Sequence, residues 1–238
     1  MGDGITLTAT PTGIPAVEEV GSGPAVVLVH GVGVGPAAFA ALADEVAATG
    51  HRAVVVHRPG YGLATGAAPA PVATQVAALV ALVDHLDAGP GDGPRDGPRD
   101  GPGDAGPGGA AGGVAGVVGV SGGATLALLV ALHLASAGGG VVPVVAHEPL
   151  LGPLAPALHH RVRRAVSALG AAGRTARPVA TTGFVRRLVG EPTWAQLPAS
   201  ERDAVAERCD LVADEARAFA EVAPSAAELA RLRPVAGV

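Results

Sequence analysis

Three runs of β-branched and small apolar residues constrain this chain most: Ala25-Val26-Val27-Leu28-Val29, Ala53-Val54-Val55-Val56 and Val114 to Val120. Each leads into a Gly-rich turn and then into a helix-like stretch, and a fourth run, Val141 to Ala146, follows. A strand that is apolar on both sides has no face to offer water, so it belongs inside a sheet covered by helices. The intervening stretches, Ala37 to Ala48, Pro71 to Leu86 and Gly122 to Ala137, have the length and composition of those helices. The expected fold class is therefore α/β, a mostly parallel sheet with helices on both faces. In such sheets ligands bind at the carboxyl ends of the strands, where the Gly-rich turns fall. Ahead of this core, Ile5 to Thr10 alternates apolar residues with Thr and reads as a half-exposed strand. Ile14 to Val20 is its expected hairpin partner, placed at a sheet edge by Pro15.

Beyond Leu150 the strand pattern stops. Helices are expected at about Pro156 to Leu169 and Val179 to Leu188, with a longer one from near Ser200, capped by that residue. The expected organisation is a core over residues 1–149, a helical cap over 150–232, and the start of another core strand over 233–238. A Gly/Pro tract at 88–113, with two copies of Asp-Gly-Pro-Arg, has too little apolar surface to pack and is expected to be disordered. It joins a helix to the start of a strand, on the rim away from any ligand.

Composition narrows the function classes. The formal charge is −5, aromatic residues make up 2%, and all 16 basic residues are Arg. No stacking platform or phosphate-tracking stripe is visible, so nucleic acid is not an expected partner. Arg161, Arg163 and Arg164 read as a solvated helix face. One cysteine, Cys209, excludes a disulfide framework within the chain, and no metal site or cofactor is expected. The apolar stretch from Val114 to Ala135 is interrupted by glycines and Ser121, so no membrane contact and a cytoplasmic location are expected.

The segment that carries chemistry is Gly119-Val120-Ser121-Gly122-Gly123, between a buried strand and a helix. A sharp strand-to-helix turn lifts the Ser hydroxyl clear of the sheet and needs small residues two before and two after it, here Gly119 and Gly123. His30-Gly31-Val32 follows the first buried strand. Other readings of the glycines fail on spacing. A dinucleotide fingerprint from Gly31 and Gly33 would need glycine where Pro36 stands, and its acidic residue is replaced by His57. No Gly-Lys-Ser/Thr follows any turn.

AVVLVHGVGVG, then HRPGYG, then VVGVSGGATLAL, in that order and spacing, resemble the α/β-hydrolase superfamily. That resemblance implies Ser121 as nucleophile, the amides of Val32 and Gly122 as oxyanion hole, and His30, Gly31, Gly119 and Gly123 as support. It implies hydrolysis of a small ester, amide or related carbonyl substrate through an acyl-enzyme. Ser rather than Asp at position 121 disfavours dehalogenation. His57 departs from the common Asp-Arg-x-Gly turn. AHEPLL, Ala146 to Leu151, looks like the lead into a cap, and Glu148 is a candidate acid. Its neighbour His147 is expected to point the other way. In the family the usual acid and the catalytic His follow the cap, and neither is found between the cap and Val238, so a C-terminal truncation is expected. The alternative is a catalytically incomplete hydrolase-like module that binds a small ligand or is inactive. Self-association through exposed core surface is expected with either. Phe184, Trp194 and Phe219 read as cap packing.

Overall fold

The computed structural model describes residues 6–8, 13–88, 113–138, 142–151 and 156–232. Six strands form one sheet in the order β1-β2-β4-β3-β5-β6. They are β1 (Thr6–Thr8), β2 (Val17–Gly21), β3 (Ala25–Val29), β4 (Arg52–Val56), β5 (Val114–Val120) and β6 (Val144–His147). The pairs β3–β4, β3–β5 and β5–β6 are parallel, whereas β1–β2 and β2–β4 are antiparallel. The apolar runs are the interior strands, with Ala25, Val27, Leu28, Val29, Ala53 and Val54 all fully buried. The α/β reading stands. Pro15 does not mark an edge, because β2 lies between β1 and β4 and Pro15 precedes the strand.

Three helices cover the sheet: α1 (Ala40–Ala48), α2 (Val72–Ala88) and α3 (Gly122–Ser136). The first turn expected of α1 is instead a short 3-10 turn, Pro36–Phe39. Leu28, Ala53 and Val55 pack against Phe39 and Ala43 on one face, while Val27, Val29, Val54 and Val56 face Leu79, Leu82, Leu126 and Val130 on the other. The chain leaves β3 for β4 on one side and reaches β5 on the other. The carboxyl end of β3 is thus the point where the strand order reverses, and a crevice forms there.

After β6 the described residues hold helices only: α4 (Pro156–Ala171), α5 (Arg177–Val189), α6 (Glu191–Gln196), α7 (Ala199–Glu207), α8 (Cys209–Glu221) and α9 (Ala226–Leu229). They form a helical cap whose Val185, Val205, Val212 and Phe219 are fully buried and continuous with the core. The single long helix expected from Ser200 is two, α7 and α8. The chain turns at Arg208, whose Nε donates to the Ala204 carbonyl at 3.1 Å. Ser200 does not cap α7, since that helix begins one residue earlier, after Pro198. The capping box is at Ser225, whose hydroxyl accepts from the Glu228 amide at 3.1 Å at the start of α9. No helix among the described residues is long and apolar enough to cross a membrane. The Gly/Pro stretch at 89–112 and the strand expected at 233–238 lie outside the described residues.

Candidate active site

Ser121 sits between β5 and α3 with φ 55° and ψ −118°, a conformation that L-residues avoid unless the surroundings impose it. Gly119 and Gly123 are the surroundings. A Cβ on Gly119 would overlap the Gly123 carbonyl, and one on Gly123 would overlap the carbonyls of Val29 and His30. The bend therefore closes only because both side chains are absent. The Ser121 amide is fixed by the His147 carbonyl at 2.8 Å, and its own carbonyl accepts the Thr125 amide at 3.1 Å. The hydroxyl is buried and has no hydrogen-bond partner among the described residues.

The loop after β3 passes directly over this turn. A Cβ on Gly31 would come within 3.1 Å of the Ser121 Cβ, and one on Gly122 within 2.9 Å of Val32 Cγ2. Among the described residues the main-chain N–H groups of Val32 and Gly122 donate to nothing. Gly122 is also the first residue of α3, where helix amides are unsatisfied and carry partial positive charge. Two unpaired amides thus lie on residues next to Ser121, Gly122 after it in the chain and Val32 in the loop packed against its turn.

A cavity of about 260 Å³ opens at Val32 and Ser121, lined also by His30, His147 and Glu148 from the core and by Leu188, Thr193 and Leu197 from the cap. His147 lines it together with Glu148. The backbone at Glu148 has φ 51°, which turns the chain right after β6. His30 is fully buried. Its Nδ1 lies 3.0 Å from the Gly31 carbonyl and must donate to it, which leaves Nε2 as the basic nitrogen, without a partner. Burial and the nearby Arg58 push the His30 pKa well below its ordinary 6.5, so the ring is neutral at neutral pH. Neither His30 nor any other described side chain hydrogen-bonds to the Ser121 hydroxyl. His57 is turned away. Its Nδ1 accepts from the Leu63 amide at 2.8 Å and its Nε2 faces Glu18 at 3.3 Å.

One feature escaped the sequence reading. Arg58, 2% exposed, donates from Nη1 to the carbonyls of His30 (3.2 Å) and Gly31 (3.0 Å), from Nε to Gln75 (3.0 Å), and from Nη2 to Glu215 of the cap. Glu215 also accepts the Tyr61 hydroxyl proton at 2.5 Å, and that hydroxyl oxygen accepts the Gly33 amide at 3.0 Å. Burial pushes the Glu215 carboxyl above its usual range, against the pull of Arg58 and Tyr61. The signal was available: an acid at 215 interrupts the apolar stripe Val212, Ala213, Ala216, Phe219 of α8, and a buried acid needs a cation.

The sequence model of the alpha/beta hydrolase family matches residues 26–237. The chain belongs to that family. No curated protein matches it. Solved structures with the same fold include an esterase from Exiguobacterium antarcticum, at 15% identity and TM-score 0.53, covering 93% of this chain and 74% of the other. A hydrolase from Pseudomonas aeruginosa aligns at 14% identity and TM-score 0.56, covering 92% and 73%. An AqdC variant that recognises and cleaves the ring of the Pseudomonas quinolone signal aligns at 19% identity and TM-score 0.57, covering 92% and 71%. Identities this low establish a shared fold for this member of the alpha/beta hydrolase family.

Proposed function

We propose that Ser121 is the nucleophile of a serine hydrolase centre acting on a small ester, amide or related carbonyl compound. The observation that carries this reading is a buried, unpartnered Ser121 hydroxyl on a strained strand-to-helix bend, next to two residues, Val32 and Gly122, whose amides have no partner among the described residues. A carbonyl seated in the cavity presents its carbon to Oγ and its oxygen to the two amides. As Oγ bonds to carbon, the carbonyl oxygen takes up negative charge, and preorganised donors stabilise that charge more than the neutral ground state. Collapse expels the alcohol or amine and leaves an acyl-enzyme, which water then releases as an acid.

The hydroxyl proton needs an acceptor at each stage. His30, His147 and Glu148 line the cavity with Ser121, and none of them hydrogen-bonds to Oγ. That observation favours a second reading, a hydrolase-like module that binds a small carbonyl ligand without turnover. The two readings separate on a fluorophosphonate probe, which reports an activated serine. Covalent labelling of the folded chain, abolished in Ser121→Ala, supports the first. A folded chain that takes up no label refutes it for this chain and leaves the binding module.

A further inference from the structure

Between Glu148 and Glu191 the chain has seven Arg and no Asp or Glu, although its overall formal charge is −5. Most of this stretch forms α4 and α5 of the cap, which pack against each other. Some of its charge is answered: Arg177 pairs with Asp210 and Arg186 with Glu191. Arg161, Arg164 and Arg187 are not, making no ion pair or hydrogen bond with any described residue. These three rim one cleft of about 300 Å³ between α4 and α5, whose floor is Val162, Ala165, Phe184 and Leu188. Leu188 is also a wall of the cavity over Ser121, so the two spaces adjoin. Arg163, on the same helix, faces a different cleft, against Arg217 and Glu221 of α8.

Three like charges held around one opening repel each other, and an exposed helix face alone does not explain why the acids of this acidic chain are all elsewhere. The arrangement suits a ligand with an apolar body and an anionic head. Guanidinium groups bind carboxylate and phosphate through paired N–H donors, and the floor takes the body. We propose that the α4–α5 cleft is a binding site for a small amphiphilic anion, a carboxylate or a phosphate monoester. Its concavity and apolar floor fit a small molecule better than a membrane surface. That the same molecule extends past Leu188 toward Ser121 rests on the nucleophile reading, whereas binding at the cleft does not.

The test is calorimetric titration of the full chain, and of Ser121→Ala, with octanoate, octyl phosphate and octanol. Octanoate or octyl phosphate binds to both proteins at least about ten-fold more tightly than octanol, and added salt weakens the interaction. The tighter of the two anions identifies the head group. Arg161→Gln, Arg164→Gln and Arg187→Gln each weaken binding about three- to ten-fold, while Arg163→Gln leaves it unchanged. Equal affinity for octanol, an equal loss in Arg163→Gln, or capture by phosphatidylglycerol vesicles without binding of the free anions would overturn the proposal. Slower fluorophosphonate labelling of Ser121 in the presence of the bound anion supports the link to the nucleophile. Unchanged labelling with intact binding refutes that link and spares the site.

Discussion

Replacing Glu215 with Leu strips the buried Arg58 of its counter-charge and the Tyr61 hydroxyl of its acceptor. Arg58 keeps three neutral acceptors, the carbonyls of His30 and Gly31 and the Gln75 side chain, so it stays hydrogen-bonded but uncompensated. Breaking a buried ion pair from one side costs about 3–5 kcal/mol, and the orphaned Tyr61 proton adds to this. With a urea slope of about 2 kcal/mol/M, the unfolding midpoint falls by about 1.5–2.5 M. Trp194, the sole Trp, is buried in α6 and reports the cap by fluorescence, while far-UV circular dichroism reports the whole chain. In Glu215→Leu the fluorescence transition precedes the dichroism transition, because the lost contacts join α8 to the loop after β4. In Arg58→Met/Glu215→Leu the cost is less than the sum of the singles by about 2–4 kcal/mol, the coupling of a desolvated charge pair. A single-mutant loss below about 1 kcal/mol, or additive singles, would refute the view that this pair joins cap to core.

Three further outcomes follow from the geometry. Gly123→Ala places a Cβ on the Val29 carbonyl, so the chain loses about 1–3 kcal/mol or more and the Ser121 turn is displaced, read by urea unfolding. His30 and His57 both have pKa values lowered by burial, His57 against the pull of Glu18, so each takes up a proton less readily in the fold than near 6.5 when unfolded. The unfolded state then takes up more protons as pH drops below 6.5, and stability falls there by up to about 1.4 kcal/mol per pH unit for each ring. Glu215, raised by burial, acts in the opposite sense above its ordinary 4.5, and His30→Asn removes one ring's share of the acid-side loss in melts between pH 7.5 and 5.5. Val145 is 61% exposed on β6, beside the half-buried Val118, and β6 has no outer neighbour among the described residues. Self-association is therefore expected in sedimentation and should diminish in Val145→Lys; a monomer at high concentration would contradict it.

The parallel sheet was legible because residues such as Val27 and Val54 have no polar face to show, and the bend at Ser121 because Gly119 and Gly123 leave no alternative to a close approach. Helix ends in the cap were less legible. Arg208 stops α7 through a side-chain bond to its own helix and a position over the Tyr61 ring, a tertiary contact that periodicity does not encode. The polar ties around Arg58 join residues more than 150 positions apart, and only the odd acid in the stripe of α8 hints at them. The bend at Glu148 was not legible either, because Glu carries no signal for a positive φ.

Three cap contacts land on the loop from Gly31 to Gly35. Val185 lies where a Cβ of Gly33 would stand, Glu201 accepts the Gly35 amide at 3.1 Å, and Glu215 acts on the Gly33 amide through Tyr61. The shape of that loop is thus specified from outside the sheet. A graft that exchanged this lid for a relative's, however well it matched in length, would have to bring its own two acids and its own small gap. Without them the recipient's strands would survive the swap, while the donors beside Ser121 would lose their registration.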